Sequence, residues 1–248
     1  MKTIRNISLI FISLLYFSCA STGQIDLNKT LDNVQKEIEQ YSKNPKPLTN
    51  DEVICGLREA LNVGTNNSTT SASQTDGFYK NPLIFIPFPP EAIKIKNTVE
   101  KIGMKKQVGD FEMSMNRAAE EASKTAAPVF LDAIKAMSIS DGFSILNGND
   151  NAATQYLKDK TSADLTTKFT PIIKKAIQKV EVTKYWNPII TTYNKIPGVE
   201  KQNPNLEQYI TLRTLDGLFK LIAGEEYKIR KDPIARITDI LKKVFGSK

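Results

Sequence analysis

The stretch NPLIFIPFPPE, residues 81–91, interrupts a chain whose other segments after residue 48 follow helical patterns. It contains five large apolar side chains followed or separated by Pro87, Pro89 and Pro90. Proline is excluded from a helix interior because it lacks the N–H donor and clashes with the preceding turn. Proline is also confined to edges and bulges of sheets. The pattern therefore predicts an extended segment, which we call the strap (residues 81–91).

Neighbouring side chains of an extended segment point in opposite directions, so one helical layer covers only half of them. We expect Ile84, Ile86 and Phe88 to pack on the helices, and Leu83 and Phe85 to be partly exposed. Full burial contributes roughly 1.5–3 kcal/mol for each such side chain. The candidate partner-binding residues are Leu83, Phe85 and Phe88.

The rest of the chain predicts an all-α protein, with a single multi-helix domain over residues 47–248 and the strap as its extended element. A first helix starts at the capping sequence Thr49–Asn50–Asp51–Glu52 and extends into a polar stretch, ending at Asp76–Gly77. Apolar periodicity and breakers predict the later helices. They cover residues 93–102, 105–126, 128–137, 138–146, 152–160, 162–180, 183–195, 206–231 and 234–245.

The N-terminus has the pattern of a secretory signal peptide over residues 1–18. Lys2 and Arg5 precede the apolar run ISLIFISLLYF and the small residues around Cys19. The favoured interpretation is a lipoprotein with a lipid on Cys19, attached to the periplasmic face of the outer membrane. The alternative is cleavage after Ala20, which gives a soluble periplasmic protein. Residues 19–46 then form a polar tether with one helix over residues 27–41.

Composition narrows the function classes. The chain has no histidine, which removes the commonest general base and metal ligand, so we expect neither catalysis nor a metal or cofactor. The net charge of +7 is spread over the chain, and no nucleic-acid-binding motif occurs.

With Cys19 lipidated, Cys55 is left without a disulfide partner, and its helical context predicts a small buried hydrophobe. We expect a monomer when the protein is on its own.

Two polar clusters are candidate sites. In SMNRAAEEA, Asn116 and Glu120 lie one turn apart, as do Arg117 and Glu121, beside an apolar helix face. These four residues indicate either a ligand site or an internally satisfied polar network, and the network is the favoured interpretation. Further along, Asp216, Glu225 and Glu226 predict a solvated helix face paired with Lys228 and Arg230 rather than an acid–base site. We also expect Trp186 to be a core residue.

Several blocks together resemble a known family. They include LTNDEVICGLREALNVGT, DGFYKNPLIFIPFPP, FEMSMNRAAEEA, FLDAIKAMSISDG, ILNGNDNAATQYLKDKTS, TKYWNPII and LDGLFKLIAGEEYKIRKDPIARITDILKKVFG. The chain is similar to the bacterial domain-of-unknown-function family 4197 over about residues 48–246. The resemblance implies an all-helical envelope domain and supplies no catalytic residues. The chain is also similar to the Plug subunits of the Bacteroidetes type IX secretion translocon, which implies closure of the periplasmic mouth of an outer-membrane barrel.

Three functions follow as hypotheses. The first is a non-enzymatic periplasmic interaction or accessory subunit, bound to an outer-membrane translocon or another envelope protein. The second is a helical binding protein for a lipid or small apolar ligand, which requires an apolar cavity. The third is a carboxylate-based envelope hydrolase, which requires two carboxylates converging in a cleft. We rank them in that order.

Overall fold

The computed structural model describes residues 47–136 and 142–246. The signal peptide, Cys19, the tether and its predicted helix lie outside the described residues. The described part contains nine α-helices, two short 3₁₀ turns and no strand, which confirms the all-α prediction. The helices are α1 Asn50–Ala72, α2 Ile93–Lys101, α3 Lys105–Ser123, α4 Ala126–Ala136, α5 Gly142–Asn147, α6 Ala152–Lys179, α7 Val182–Asn194, α8 Leu206–Lys231 and α9 Asp239–Gly246; the 3₁₀ turns are Pro90–Ala92 and Pro233–Ala235.

Helix α8 is the central element of the fold. It packs most extensively on α1 and α6, and it also contacts α3 and α9. Its buried positions include Ile210, Leu218 and Ile222, which are spaced at helical intervals along its length. Asn205 caps its first turn by accepting a hydrogen bond from the Gln208 N–H at 3.0 Å. Of the described helices, none is both long and apolar enough to cross a membrane.

Helix α1 continues through the polar stretch as predicted. Thr49 and Glu52 form a reciprocal capping box at its start. Further along, Thr65, Ser68 and Thr69 are buried although they are polar. Their small side chains fit where α1 meets α8, and the Thr69 hydroxyl donates to the Thr65 carbonyl oxygen at 2.8 Å. Small size, rather than hydrophobicity, is what lets this half of α1 be buried.

The single cysteine of the described residues is exposed on α1, so the prediction of a buried Cys55 was wrong. The neighbouring buried positions Val53, Gly56 and Leu57 define the inner face of the helix. Cys55 falls on the opposite side, because adjacent positions on a helix are separated by about 100°.

Helix α6 joins two segments that the sequence pattern predicted as separate helices, 152–160 and 162–180. No glycine or proline separates them. The hydroxyls of Thr161 and Ser162 donate to the carbonyl oxygens of Leu157 and Lys158, one turn earlier in the same helix. These residues therefore bond within the helix rather than ending it.

The last helix begins later than predicted, at Asp239 instead of directly after Asp232–Pro233. Asp232 caps only the 3₁₀ turn, where its carboxylate accepts from the Ile234 N–H at 2.9 Å. Arg236 then donates to the carbonyl oxygens of Ile229 and Arg230 at the end of α8. The chain makes a corner here because Arg236 satisfies carbonyl groups that the helix leaves unpaired.

An aromatic cluster fills the core between the strap, α3 and α7. The ring centroids of Phe88 and Phe111 lie 5.2 Å apart in an edge-to-face arrangement, and those of Phe111 and Trp186 lie 4.8 Å apart. Trp186 is buried, which confirms its predicted core role.

Helix α9 packs closely on α1 at Gly56. A Cβ atom at this position would lie 2.6 Å from Cγ2 of Val244. We expect Gly56→Ala to lower the free energy of unfolding by about 1–2 kcal/mol in chemical denaturation, because overpacking outweighs the gain in helix propensity. Gly224→Ala is the matched control, since no atom lies within 4 Å of its Cβ position, and it should raise stability by about 0.5–1 kcal/mol. Equal effects of the two substitutions would contradict the close approach.

Candidate functional site

Residues 82–84 of the strap form a turn, in which the N–H groups of Ile84 and Phe85 donate to the Asn81 carbonyl oxygen at 3.1 and 2.8 Å. The prediction of an extended segment over residues 81–91 was therefore wrong for this part, although side-chain burial alternates along the strap as expected. Ile84, Ile86 and Phe88 are buried, whereas Leu83 is 56% exposed and Phe85 is half-buried. Phe88 was also named as a partner-binding residue, and that prediction was wrong, because its ring lies in the aromatic core. The exposed side of the strap therefore presents Leu83 and part of Phe85.

The backbone of the strap cannot pair with a neighbouring strand, because no strand occurs in the described residues. Buried N–H and C=O groups still need hydrogen-bond partners. Beyond the turn at residues 82–84, helix α3 supplies such partners through Asn116 and Glu112, and Glu120 does the same for the segment before the strap. These three side chains recur every four residues and therefore share one face of the helix. We call these three residues the α3 ladder.

Asn116 is the middle member of the α3 ladder and is fully buried. Its side-chain oxygen accepts from the Ile86 N–H at 2.8 Å, and its amide nitrogen donates to the Ile86 carbonyl oxygen at 2.9 Å. The same nitrogen donates to the Glu112 carbonyl oxygen at 2.8 Å. The side chain thus does for Ile86 what a neighbouring strand would do, with one donor and one acceptor.

Glu120 holds the segment that leads into the strap. One carboxylate oxygen accepts from the consecutive N–H groups of Phe78 and Tyr79, both at 3.1 Å. The other accepts from Arg117 at 2.6 Å, and Arg117 also donates to Asp76 at 2.6 Å. Two backbone donors and a guanidinium thereby compensate the burial of this charge.

The third member, Glu112, holds the end of the strap. Its carboxylate accepts from the Phe88 N–H at 3.2 Å and from Lys96 at 2.8 Å. On the opposite side, the Tyr209 hydroxyl of α8 donates to the Pro87 carbonyl oxygen at 3.0 Å, and burial raises the pKa of Tyr209. The strap therefore lies between α3 and α8 and is hydrogen-bonded to both.

Close packing on α8 depends on Gly217. A Cβ atom there would lie 3.0 Å from Cε1 of Phe78 and 3.1 Å from Cβ of Ile84. Glycine thus lets the strap approach the helix backbone, while the α3 ladder holds its other side.

The structure brings together three of the four residues predicted for the polar network. Asn116, Arg117 and Glu120 all bind the strap or the segment before it, whereas Glu121 pairs with Lys124 and Lys179, which lower its pKa. Sequence reasoning missed Glu112 as the third member. The spacing of Glu112, Asn116 and Glu120 was the available signal, because four-residue intervals place polar groups on one helix face.

A second buried carboxylate, Glu226, contradicts the prediction of a solvated face on α8. Its side chain is 1% exposed and pairs with Arg230 at 2.7 Å. It accepts from the N–H groups of Ala153 and Thr154 at 3.0 and 2.7 Å, so it caps the start of α6. The neighbouring residues Glu225 and Asp216 pair with nearby lysines, as predicted.

A cleft of about 300 Å³ borders the network at the outer side of α3. Its lining includes Asp110, Arg117, Glu121, Lys124 and Tyr185. Side chains of both charge signs line the cleft, whereas pockets for lipids and other apolar ligands are lined mainly by hydrophobic residues. In the described part of the chain, no group of three or more Cys, Asp or Glu residues is placed to hold a metal ion.

These features define an all-helical protein with a proline-rich strap held by buried polar side chains. The chain belongs to the family described as protein of unknown function (DUF4197), whose model matches residues 47–246. Comparisons with curated proteins and with solved structures give no match.

Removal of the Asn116 side chain should destabilise the protein. Asn116→Ala leaves the Ile86 N–H and C=O buried without partners, at a cost of about 1–3 kcal/mol for each group. We expect the free energy of unfolding, measured in urea, to fall by at least about 2 kcal/mol. The same substitution at the exposed Asn97 of α2 is the control and should change stability by about 0.5 kcal/mol or less. Equal effects at both positions would show that Asn116 does not hold the strap.

Asp76 should make stability depend on pH in the acid range. Hydrogen bonds from Lys80 and Arg117 lower the pKa of Asp76 in the folded state. Its contribution is therefore complete above the unfolded-state pKa of about 3.9 and is lost as the pH falls through the folded pKa.

We expect Asp76→Asn to be less stable than the native protein at neutral pH, with a difference that shrinks below about pH 4. Urea denaturation at a series of pH values measures this difference. Asp132→Asn is the control, because this exposed carboxylate lies 3.9 Å from its partner Lys135. A difference for Asp76→Asn that grows as the pH falls would contradict the assigned sign.

Proposed function

We propose that this protein is a non-enzymatic lipoprotein of the bacterial envelope that binds a protein partner through the exposed side of the strap. The proposal rests on the difference between the buried side of the strap and its exposed side. Its backbone and inner side chains are fixed by α3 and α8, while Leu83 is 56% exposed. Interaction sites are marked by contiguous exposed apolar residues rather than by a single one, so the neighbours of Leu83 matter.

Further apolar residues of the strap and of α8 are exposed. They are Pro82 and Pro87 of the strap and Leu212 of α8, which is 48% exposed. Leu212 lies one helical turn from Tyr209, whose hydroxyl donates to the strap at Pro87. We call Leu83, Phe85 and Leu212, with the two prolines, the strap surface.

A strap that is already fixed in place can bind a partner at a lower entropic cost. Ordering a flexible loop when a partner binds costs conformational entropy, and a segment that is already fixed avoids much of that cost. The α3 ladder and Tyr209 fix the strap before any partner arrives. A few well-placed apolar and aromatic side chains can then supply most of the binding free energy.

The non-enzymatic part of the proposal is supported by how the buried carboxylates are used. Glu120 and Glu226 each accept hydrogen bonds from two consecutive backbone N–H groups and from an arginine. Glu112 likewise binds a backbone N–H and Lys96. These carboxylates hold the chain in place, and their hydrogen bonds are made to groups within the protein.

We also propose a location for the protein and an identity for its partner. A lipid on Cys19 would hold the protein at the periplasmic face of the outer membrane, and cleavage after Ala20 would leave it soluble in the periplasm. The partner would be an outer-membrane protein-secretion translocon, with this protein as its plug. This partner is proposed from the sequence blocks alone, and the comparison with curated proteins gives no match to a plug subunit.

Site-specific photo-crosslinking in the native envelope tests the proposal. A photoreactive amino acid replaces Leu83 or Phe85 in the full chain, and Ile102, which is also 56% exposed, serves as the matched control. We expect both strap positions to form the same covalent adduct, and Ile102 to form none. Leu83→Ser should reduce the adduct formed through Phe85, while changing the free energy of unfolding by only about 0.5 kcal/mol.

Mass spectrometry of the adduct tests the translocon partner separately from the strap surface. A large outer-membrane barrel would support the translocon as partner. A different envelope protein would support the strap surface and contradict the plug role. The same crosslinking pattern at Leu83, Phe85 and Ile102 would contradict the strap surface itself.

A further inference from the structure

The corner between α8 and α9 exposes two isoleucines. Ile234 is 88% exposed and Ile237 is 67% exposed, the two highest values among the exposed large hydrophobic side chains of the described residues. We call residues 233–238 the isoleucine turn. Single exposed hydrophobic residues are common on protein surfaces, but two of this size on one short projecting turn require an explanation.

The isoleucine turn is held in a defined conformation. The Asp232 carboxylate accepts from the Ile234 N–H at 2.9 Å, and Pro233 begins the 3₁₀ turn. Arg236 donates to the carbonyl oxygens of Ile229 and Arg230 at 2.9 and 3.0 Å. The turn is thus bonded to the end of α8, and the exposure of its isoleucines follows from a specific fold rather than from a frayed end.

The isoleucine turn lies at the end of the body where α1 begins. Glu52 pairs with Lys243, and Gly56 packs against Val244, so the first turns of α1 meet α9. The described chain starts just before this point, at Pro47. Cys19, the predicted lipid-bearing residue, precedes that start by fewer than thirty residues.

The strap surface lies toward the opposite end of α8. Tyr209, which donates to the strap, precedes Lys231 by 22 positions in one continuous helix. At 1.5 Å per residue, this corresponds to about 33 Å. The isoleucine turn and the strap surface are therefore separate sites toward different ends of α8.

Exposed side chains of both charge signs lie on the helices that flank the isoleucine turn, and Asp232 and Asp239 are its immediate neighbours in the chain. Lys228, Lys231 and Lys242 have side chains that are 62%, 53% and 62% exposed. Their carboxylate partners are Glu225, Asp150 and Asp239. These pairs balance the local charge, and exposed ion pairs contribute little, so the lysines can extend toward lipid phosphates while the apolar side chains insert.

We propose that the isoleucine turn inserts Ile234 and Ile237 into the surface of the lipid bilayer to which the protein is anchored. The inference rests on the lipid-anchored location given under the proposed function. A lipid surface fits because Ile234 and Ile237 are the most exposed large apolar side chains of the described residues, the flanking lysines are exposed, and α9 contacts the first turns of α1, the helix that follows the predicted lipid-bearing segment in sequence. Interfacial segments of this kind bind lipid through buried apolar area, with cationic side chains at the headgroup level.

Fluorescence in proteoliposomes tests the insertion. The full chain is produced with its own signal sequence in bacteria and is reconstituted into vesicles of phosphatidylethanolamine and phosphatidylglycerol. Cysteine replaces Ile234 or Ile237 in a Cys55→Ser background, because Cys55 is exposed and would also react. An environment-sensitive fluorophore is attached, and quenching by bromine-labelled acyl chains reports its depth. Leu212→Cys, near the strap, is the matched exposed control.

The expected result is a blue-shifted emission and acyl-chain quenching at positions 234 and 237, with neither change at position 212. If the protein sediments with the vesicles but both turn probes remain water-like, the insertion is overturned and the lipid-anchored location stands. If the protein does not sediment with the vesicles, both the location and the insertion are overturned. A blue shift without acyl-chain quenching indicates a protein contact and also overturns the insertion.

A second measurement separates insertion from tethering. The double substitution Ile234→Ser and Ile237→Ser should leave sedimentation with vesicles unchanged and should increase cleavage of the turn by added protease. Leu83→Ser with Leu212→Ser is the control and should leave that cleavage unchanged. Equal cleavage of the native and doubly substituted turns in vesicles would contradict insertion.

Discussion

A non-helical backbone segment packed inside an all-helical body is the constraint on which this structure depends. Helices satisfy their own N–H and C=O groups, but the strap has no neighbouring strand to pair with. The α3 ladder resolves this, because Glu112, Asn116 and Glu120 present side-chain partners along one face of a single helix. The inner side chains of the strap can then join the aromatic core, and the outer ones are left at the surface.

The same physical solution recurs at the other end of α8. Glu226, paired with Arg230, caps the first turn of α6, much as Glu120, paired with Arg117, holds Phe78 and Tyr79. In both places a buried carboxylate gains two consecutive backbone donors and one guanidinium, which offsets the loss of hydration. The buried charges of this protein thus fix its backbone.

The sequence predicted the helical class, the bounds of α8 and the alternation of the strap, because each depends on local periodicity. It did not predict the burial of Glu226, since that carboxylate caps a helix that begins more than seventy residues earlier in the chain. Cys55 was predicted to be buried because it lies among apolar residues, but the inner face of α1 passes through Val53, Gly56 and Leu57 and leaves Cys55 outside. Asn116 and Glu120 were recognised as a polar network, but their partners are backbone groups, which carry no sequence signal.

Hydrogen exchange at the strap tests the central claim most directly. The amides of Phe78, Tyr79, Ile86 and Phe88 donate to side chains of the α3 ladder. If the ladder holds the strap as described, these four amides should exchange as slowly as the core amides of α8, and the Ile86 amide should lose protection in Asn116→Ala. Exchange of all four at the rate of an exposed loop in the native protein would contradict the account.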